Sequence, residues 1–187
     1  MSYHERHLPH WQPEGTALFI TWRLHGSLPG LIEVLKGQSA GQQFVAVDRV
    51  LDRAATGPRW LADERVAQCV VDALFYGEHQ LRLYRLRAWV VMSNHVHVLI
   101  YPKAPLSRIT KAIKNFSARR ANTILGRAGQ PFWQDESYDH WVRTPDELER
   151  IVRYIEANPV TAGLASQPQE WRWSSAFADR PGGLSYL

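Results

Sequence analysis

Apolar and polar residues alternate along neighbouring stretches of the chain, and this period of two predicts a β-hairpin. Residues 81–91 and 95–101 are its strands, and Met92-Ser93-Asn94 forms the turn. Successive side chains of a strand point to opposite faces, so His95 and His97 are expected on one face, with Cα atoms roughly 7 Å apart. Two imidazoles at that spacing can bind one metal ion. A His-x-His pattern alone is more often part of a hairpin that binds no metal.

The remaining pattern predicts further strands around a set of helices. Residues 17–24 alternate and predict a first strand, and residues 138–143 are a further strand candidate. Apolar residues three and four positions apart predict helices over 44–55, 63–76 and 106–125 and a last helix that follows Thr144. Gly77 and Pro159 are the expected limits of the second and last helices.

The last helix has a distinct start and two polar residues on one side. Thr144 at the N-cap, Pro145 at the first helical position and Glu147 at the third form a capping-box pattern. Tyr154 is expected about 110° from the centre of the apolar stripe, and Asn158 follows one turn later on the same side. In this position a tyrosine is ordinarily a packing residue, and an asparagine before a proline is ordinarily a helix cap.

Charge is distributed unevenly along the chain. The net charge is +4, yet no acidic residue lies between Glu78 and Asp135, where ten Lys and Arg residues lie, while the rest of the chain carries −6. Such a basic segment around the two histidines indicates a polyanionic partner, most simply nucleic acid. Five basic residues of the third helix are expected to contact phosphates: Arg108, Lys111, Lys114, Arg119 and Arg120. Trp11 and Trp133 are the candidates for stacking on bases.

Composition indicates a soluble globular protein rather than a membrane protein. The 187 residues are 45% hydrophobic and 21% charged, and the longest apolar run, residues 88–92, is far too short to span a bilayer. The start lacks a secretory signal pattern, and Cys69 is the one cysteine, which fits a reducing cytoplasm. We expect a flexible arm over residues 1–14, one domain over 15–178 and a tail over 179–187.

Several segments together resemble a known family. Residues 89–100, with His95-Val96-His97 at their centre, resemble the HUH motif (His, hydrophobic, His) of single-tyrosine transposases. Four further segments resemble the REP-associated tyrosine transposases of that superfamily: Phe132-Trp133-Gln134, Arg153-Tyr154-Ile155, Asn158-Pro159-Val160-Thr161-Ala162-Gly163-Leu164 and Trp173-Ser174-Ser175.

The resemblance implies a fold and a reaction. The fold would be a ferredoxin-like α+β domain, with a central antiparallel sheet, helices on one face and a C-terminal catalytic helix. The reaction would be cleavage and rejoining of single-stranded DNA next to a REP-like hairpin, with Mg²⁺ or Mn²⁺, by a monomer or homodimer. His95, His97 and Asn158 would bind the metal, and Tyr154 would form a 5′-phosphotyrosine. In the family the third ligand is often Gln, which is longer than Asn158.

Two other functions remain open from the residues themselves. A domesticated, non-catalytic protein could bind DNA hairpins with the same fold and basic surface but would need neither the histidines nor Tyr154. A metal-dependent phosphodiesterase that uses water would not depend on Tyr154. Tyr138 is an alternative nucleophile, and His140 could belong to a different metal site.

Overall fold

A four-stranded antiparallel sheet in the order β2-β3-β1-β4 forms the centre of the protein. The computed structural model describes residues 15–28, 40–53 and 56–177, with the side chains of 40–53 described from residue 46 onward. The strands are β1 (Leu18–Arg23), β2 (Tyr84–Val91), β3 (His95–Pro102) and β4 (Tyr138–Trp141).

The helices complete a ferredoxin-like arrangement. They are α1 (Ala40–Arg53), α2 (Glu64–His79), α3 (Leu106–Ile124) and α4 (Pro145–Thr161). The succession β1-α2-β2-β3-α3-β4 with this strand order is the split βαβ pattern of ferredoxin-like domains. Helix α1 is an addition between β1 and α2, and α4 follows the last strand. The α+β prediction is therefore confirmed. None of the helices in the described part of the chain is long and apolar enough to cross a membrane.

The two faces of the sheet have different partners. On one face, alternate residues of β1 and β3, such as Trp22 and Val98, join the larger core with residues of α2 and α3. On the other face Phe19 and Leu99 pack with Ile155 of α4 in a second core. His97 lies two residues from Leu99 on β3 and pairs with Thr21, which lies two residues from Phe19 on β1. Residues two apart share a strand face, so the histidines lie on the α4 face of the sheet.

Two helix limits differ from the expectations. Helix α2 continues through Gly77 to His79, and a Cβ atom at Gly77 would lie 2.4 Å from the Tyr84 hydroxyl oxygen. Gly77 thus makes room for an aromatic ring instead of ending the helix. Helix α4 continues through Pro159 to Thr161, because a proline so near the helix end removes only one late backbone hydrogen bond.

One of the two hydrogen bonds of the predicted capping box forms at the start of α4. The Thr144 side chain accepts a hydrogen bond from the Glu147 amide, 3.2 Å away. The Glu147 carboxylate does not return to the Thr144 amide. It accepts from the Arg143 amide at 2.6 Å and lies 2.8 Å from His140 Nε2. The reciprocal contact therefore reaches one residue before the N-cap and ties α4 to β4.

The segment after α4 returns to the outer edge of β2. The Val91 amide donates to the Trp173 carbonyl at 2.8 Å, and the Ser175 amide donates to the Trp89 carbonyl at 2.9 Å. The Trp89 amide donates to the Ser175 hydroxyl at 3.2 Å. This segment therefore covers the end of β2 nearest the hairpin turn. The predicted arm over 1–14 and tail over 179–187 lie outside the described residues.

Candidate functional site

The two histidines of β3 lie side by side in the interior. His95 and His97 are both fully buried, and their Nε2 atoms are 3.1 Å apart. This matches the expectation that they share one strand face. Two ring nitrogens that approach so closely in an apolar interior need a proton or a cation between their lone pairs, since the lone pairs otherwise repel each other.

Polar neighbours hold the opposite edge of each imidazole. His95 Nδ1 lies 2.7 Å from Oδ1 of Asn94, whose amide nitrogen donates to the Leu51 carbonyl of α1 at 2.9 Å. His97 Nδ1 lies 2.7 Å from the Thr21 hydroxyl. Histidines that bind metals typically have such a partner on the second nitrogen, because it selects the tautomer and the ring orientation. Both Nε2 atoms are thereby directed into the site.

Helix α1 contributes a carboxylate that the sequence reasoning did not identify. Asp48 is 4% exposed, and its Oδ1 lies 3.2 Å from His97 Nε2 and 3.8 Å from His95 Nε2. One turn later, Asp52 Oδ1 lies 3.6 Å from His95 Nε2. The available signal was an acidic pair at positions i and i+4 beside buried Leu51, which places charge next to the apolar side of a helix.

Burial and neighbouring groups shift the pKa values of Asp48, Asp52 and His95. Burial acts to raise the pKa of Asp48, but His97, His95 and Asn158 together outweigh it and leave that pKa below its usual value. Burial and the neighbouring Asp48 charge raise the pKa of Asp52 to about 7. Burial and the proximity of His97 lower the pKa of His95 to about 3, so this ring is neutral at pH 7, the form that binds metals.

Helix α4 places Tyr154 and Asn158 against the histidines. The Tyr154 hydroxyl donates a hydrogen bond to Asp48 Oδ2, and its ring centroid lies 5.5 Å from that of His97. Asn158 is 2% exposed, and its amide nitrogen lies 3.4 Å from His97 Nε2. The Oδ1 atom of Asn158 is buried and has no hydrogen-bond partner among the described residues.

The donor set can hold a metal ion. Asp48, His95 and His97 are buried, and one ligand atom from each lies within 4.8 Å of the others. Oδ1 of Asp48 also lacks a hydrogen-bond partner of good geometry in the described part of the chain. Two imidazoles, a carboxylate and buried oxygen atoms that still lack a partner suit a divalent cation such as Mg²⁺, Mn²⁺ or Zn²⁺.

The predicted phosphate contacts divide into two groups. Arg108, Lys111 and Arg119 are exposed on α3. Arg120 is also exposed but pairs with Asp72 at 2.8 Å. Lys114 differs more, because its ammonium donates to the carbonyl oxygens of residues 134, 135 and 136 at 2.9–3.4 Å. That side chain ties α3 to the segment before β4.

Trp133, one of the two base-stacking candidates, lies in the core of this structure. Trp133 is 7% exposed, packs edge-on against Trp22 and donates its indole N–H to the Ser117 hydroxyl at 3.0 Å. Both the ring and its polar atom are used in the core. Trp11, the other candidate, lies outside the described residues.

The alternative residues have contacts with other side chains. The Tyr138 ring packs edge-on against Phe19, with centroids 6.3 Å apart. His140 pairs with Glu147 at the start of α4. Within the described residues, the Asp48, His95 and His97 cluster is the group of three or more potential ligands that can share one ion.

Comparison with known proteins agrees with this geometry. Residues 71–158, which include the histidines, Tyr154 and Asn158, match the family model described as "Transposase IS200 like". The chain is similar to the IS200-like transposases. The resemblance drawn from its motifs is confirmed. No curated protein sequence is similar enough to this chain to count as a match.

Two solved structures are similar to this chain. One, titled as a REP-associated tyrosine transposase bound to a REP hairpin, has a TM-score of 0.56 and 21% identity, over 93% of this chain and 82% of that chain. Another, titled as a "putative transposase" from Deinococcus radiodurans R1, has a TM-score of 0.45 and 19% identity, over 84% of this chain and 98% of that one. At these identities the first match shows a common fold.

Proposed function

We propose that this protein is a metal-dependent transesterase that cleaves and rejoins single-stranded DNA through Tyr154. The observation that carries the proposal is the contact between Tyr154 and the histidine pair, which come from different elements of the fold, α4 and β3. The tyrosine ring lies beside His97, and its hydroxyl reaches the same buried cluster. A water-using phosphodiesterase or a simple DNA-binding module has no need of a tyrosine there.

The chemistry requires help because a phosphodiester repels nucleophiles. His95, His97 and Asn158 would hold Mg²⁺ or Mn²⁺, which when bound polarises the phosphoryl oxygens and offsets their charge. The phenol of a solvated tyrosine has a pKa near 10, so a tyrosine such as Tyr154 is a weak nucleophile until it loses its proton. Its oxygen bonds to phosphorus while the bond from phosphorus to the 3′ oxygen breaks. The products are a 5′-phosphotyrosine and a protonated 3′-OH.

The covalent intermediate explains why a transposase would use a tyrosine instead of water. A phosphotyrosine ester retains the energy of the cleaved phosphodiester, so a 3′-OH can attack it and displace the Tyr154 oxygen. The strand is then rejoined without an external energy source. Arg108, Lys111, Arg119 and Arg120 would bind the DNA backbone. The relative solved with a REP hairpin supports a hairpin as the DNA partner.

The covalent adduct is the decisive test. A single-stranded oligonucleotide that carries a hairpin, labelled at its 3′ end, is incubated with the protein and Mn²⁺, and products are separated on a denaturing protein gel. We expect the label to migrate with the wild-type protein. Tyr154→Phe removes only the hydroxyl, so DNA binding should persist while the adduct and the cleavage disappear.

Tyr138→Phe is the matched control, because it removes the other nearby phenol and should leave the adduct unchanged. Cleavage without an adduct in the wild-type protein would indicate a hydrolytic phosphodiesterase. Binding without cleavage in every variant would indicate a DNA-hairpin binding module. An adduct that persists in Tyr154→Phe would contradict the assignment of the nucleophile.

A further inference from the structure

Helix α1 carries the feature of the site that the transposase resemblance does not explain. It lies outside the segment that matches the transposase family model, which begins at residue 71. Yet its Asp48 side chain is nearly as buried as the histidines. Burying a carboxylate is costly unless cations or hydrogen bonds compensate for the lost hydration. This cost indicates that Asp48 has a specific role in the site.

The distances around Asp48 fit a ligand of the same ion. Two ligand atoms about 2.1 Å from one ion lie about 3.0 Å apart when adjacent in an octahedral site and about 4.2 Å apart when opposite. The Nε2 atoms of His95 and His97 are 3.1 Å apart, and Asp48 Oδ1 lies 3.2 Å from one and 3.8 Å from the other. All three separations lie between those limits, so one ion can contact the three atoms with small side-chain movements.

The second oxygen of the same carboxylate contacts the nucleophile. The Tyr154 hydroxyl donates to Asp48 Oδ2, while Oδ1 faces the histidines. A hydroxyl that donates its proton to one side chain has the direction of its oxygen lone pairs fixed by that bond. We propose that Asp48 is a further catalytic residue, which binds the metal ion of the His95 and His97 pair through Oδ1 and orients the Tyr154 hydroxyl through Oδ2.

Asp52 provides a contrast within one helix. Its Oδ1 is 3.6 Å from His95 Nε2, but Asp52 does not belong to the group whose ligand atoms all lie within 4.8 Å of one another. It therefore lies near the site but outside the shared ligand position. Both aspartates occur on α1, so an exchange of Asp for Asn removes one carboxyl group at either position but only one proposed ligand.

Asn158 and Asp48 have complementary places in this arrangement. Asn158 approaches His97 from α4, and Asp48 approaches it from α1. Four protein ligands would leave two of six octahedral positions for phosphate oxygens. The inference rests on the proposed function for the identity of the nucleophile, but not for the metal ligand, which is measurable without DNA.

The first measurement is Mn²⁺ affinity in the absence of DNA. Unbound Mn²⁺ is followed by its electron paramagnetic resonance signal during a titration of the protein. We expect Asp48→Asn to weaken Mn²⁺ binding by at least about tenfold, because an amide oxygen replaces an anionic ligand. Asp52→Asn, the control for loss of a nearby carboxyl group that is not a proposed ligand, should change the affinity by less than about threefold. His97→Ala should abolish binding, which shows that the measured ion is at this site.

A second pair of variants tests for a gained preference for Zn²⁺, a change that misfolding cannot produce. Asp48→Cys places a soft thiolate at the proposed ligand position, and thiolates favour Zn²⁺ over Mn²⁺. We expect the ratio of Zn²⁺ to Mn²⁺ affinity to rise by more than about tenfold in Asp48→Cys and to stay unchanged in Asp52→Cys. Equal Mn²⁺ affinity of wild type and Asp48→Asn, or equal losses in Asp48→Asn and Asp52→Asn, would overturn the metal role.

The hydroxyl contact has its own readout. At saturating Mn²⁺, Asp48→Asn should still form the covalent adduct at least about tenfold more slowly than wild type, because the tyrosine is held less accurately. Full recovery of the adduct rate at saturating Mn²⁺ would limit Asp48 to metal binding and overturn its role in positioning Tyr154. Absence of an adduct in the wild-type protein would refute the proposed function and leave the metal measurements to stand by themselves.

Discussion

The Nδ1 atom of His97 lies 2.7 Å from the hydroxyl oxygen of Thr21, the residue directly opposite it on β1. Both side chains are buried, so the contact is protected from competition with water. A strand register thereby sets the orientation of a candidate metal ligand. The same sheet that forms the core also aims the histidine ring, which connects the stability of the fold with the geometry of the site.

Thr21→Val tests that connection, because valine has nearly the same shape and lacks the hydroxyl. We expect Mn²⁺ affinity to fall by about tenfold or more. The free energy of unfolding should drop by about 1–3 kcal/mol, because His97 Nδ1 loses its buried partner. Mn²⁺ titration and urea denaturation measure the two effects. Thr21→Ser retains a hydroxyl and is the control; if it loses as much affinity as Thr21→Val, the hydroxyl is not the cause.

Gly77→Ala should destabilise the fold through one contact. The new Cβ atom would lie 2.4 Å from the Tyr84 hydroxyl oxygen, which donates to the Leu74 carbonyl at 2.7 Å. We expect the free energy of unfolding in urea to fall by about 1–3 kcal/mol. In a Tyr84→Phe background, where that hydroxyl is absent, the same glycine change should cost less. Additive losses in the double variant would show that the strain lies elsewhere.

Exposed cations of α3 should determine the salt dependence of DNA binding. Arg108→Gln, Lys111→Gln and Arg119→Gln should each reduce the slope of log affinity against log salt concentration by roughly 0.7–0.9. Fluorescence anisotropy with a labelled DNA hairpin at several salt concentrations measures the slope. Arg65→Gln is the control, because Arg65 is exposed outside the basic segment and pairs with Asp63 at 2.7 Å. Its slope should equal that of wild type.

Glu147 should make the stability of the protein depend on acidic pH. The Arg143 amide and then His140 lower the pKa of Glu147 below its usual value by hydrogen bonding to its charged form. A carboxylate whose pKa falls on folding stabilises the folded state above its unfolded pKa of about 4.3, and this contribution is lost as the pH falls through the lower, folded value. Glu147→Gln should cost about 1 kcal/mol at pH 7. Thermal melts should show that difference shrinking towards pH 3, whereas a difference independent of pH would refute the linkage.

Local signals predicted the parts of the protein that depend on nearby residues. The alternation around His95 and His97 gave the hairpin and the shared face, and Thr144 with Pro145 marked the start of α4. These features arise within a few residues of the chain, where strand pleat and helix capping operate. Gly77 was misinterpreted because its requirement comes from Tyr84, a contact between a helix and a strand.

The sequence analysis did not identify the Asp48 carboxylate, for a different reason. Asp48 approaches the histidines only because α1 places it beside β3, and the acidic pair of α1 does not by itself distinguish a buried acid from one at a solvated edge. Trp133 was expected on a binding surface and lies in the core, and its residue type does not distinguish the two places, since an indole serves equally well as core or as stacking surface. Its burial was decided by Trp22 and Ser117, distant residues that no local pattern contains.

The return of residues 173–175 to β2 also protects the outer edge of the sheet from pairing with another molecule. An outer strand presents unpaired backbone groups that readily recruit a strand from another molecule, the first step of edge-to-edge aggregation. Here the backbone groups of Trp89 and Val91 are already satisfied by Trp173 and Ser175 of the same chain. A segment that adds no strand of its own thus acts as a guard against self-association, at the end of the strand that leads into the hairpin with His95 and His97.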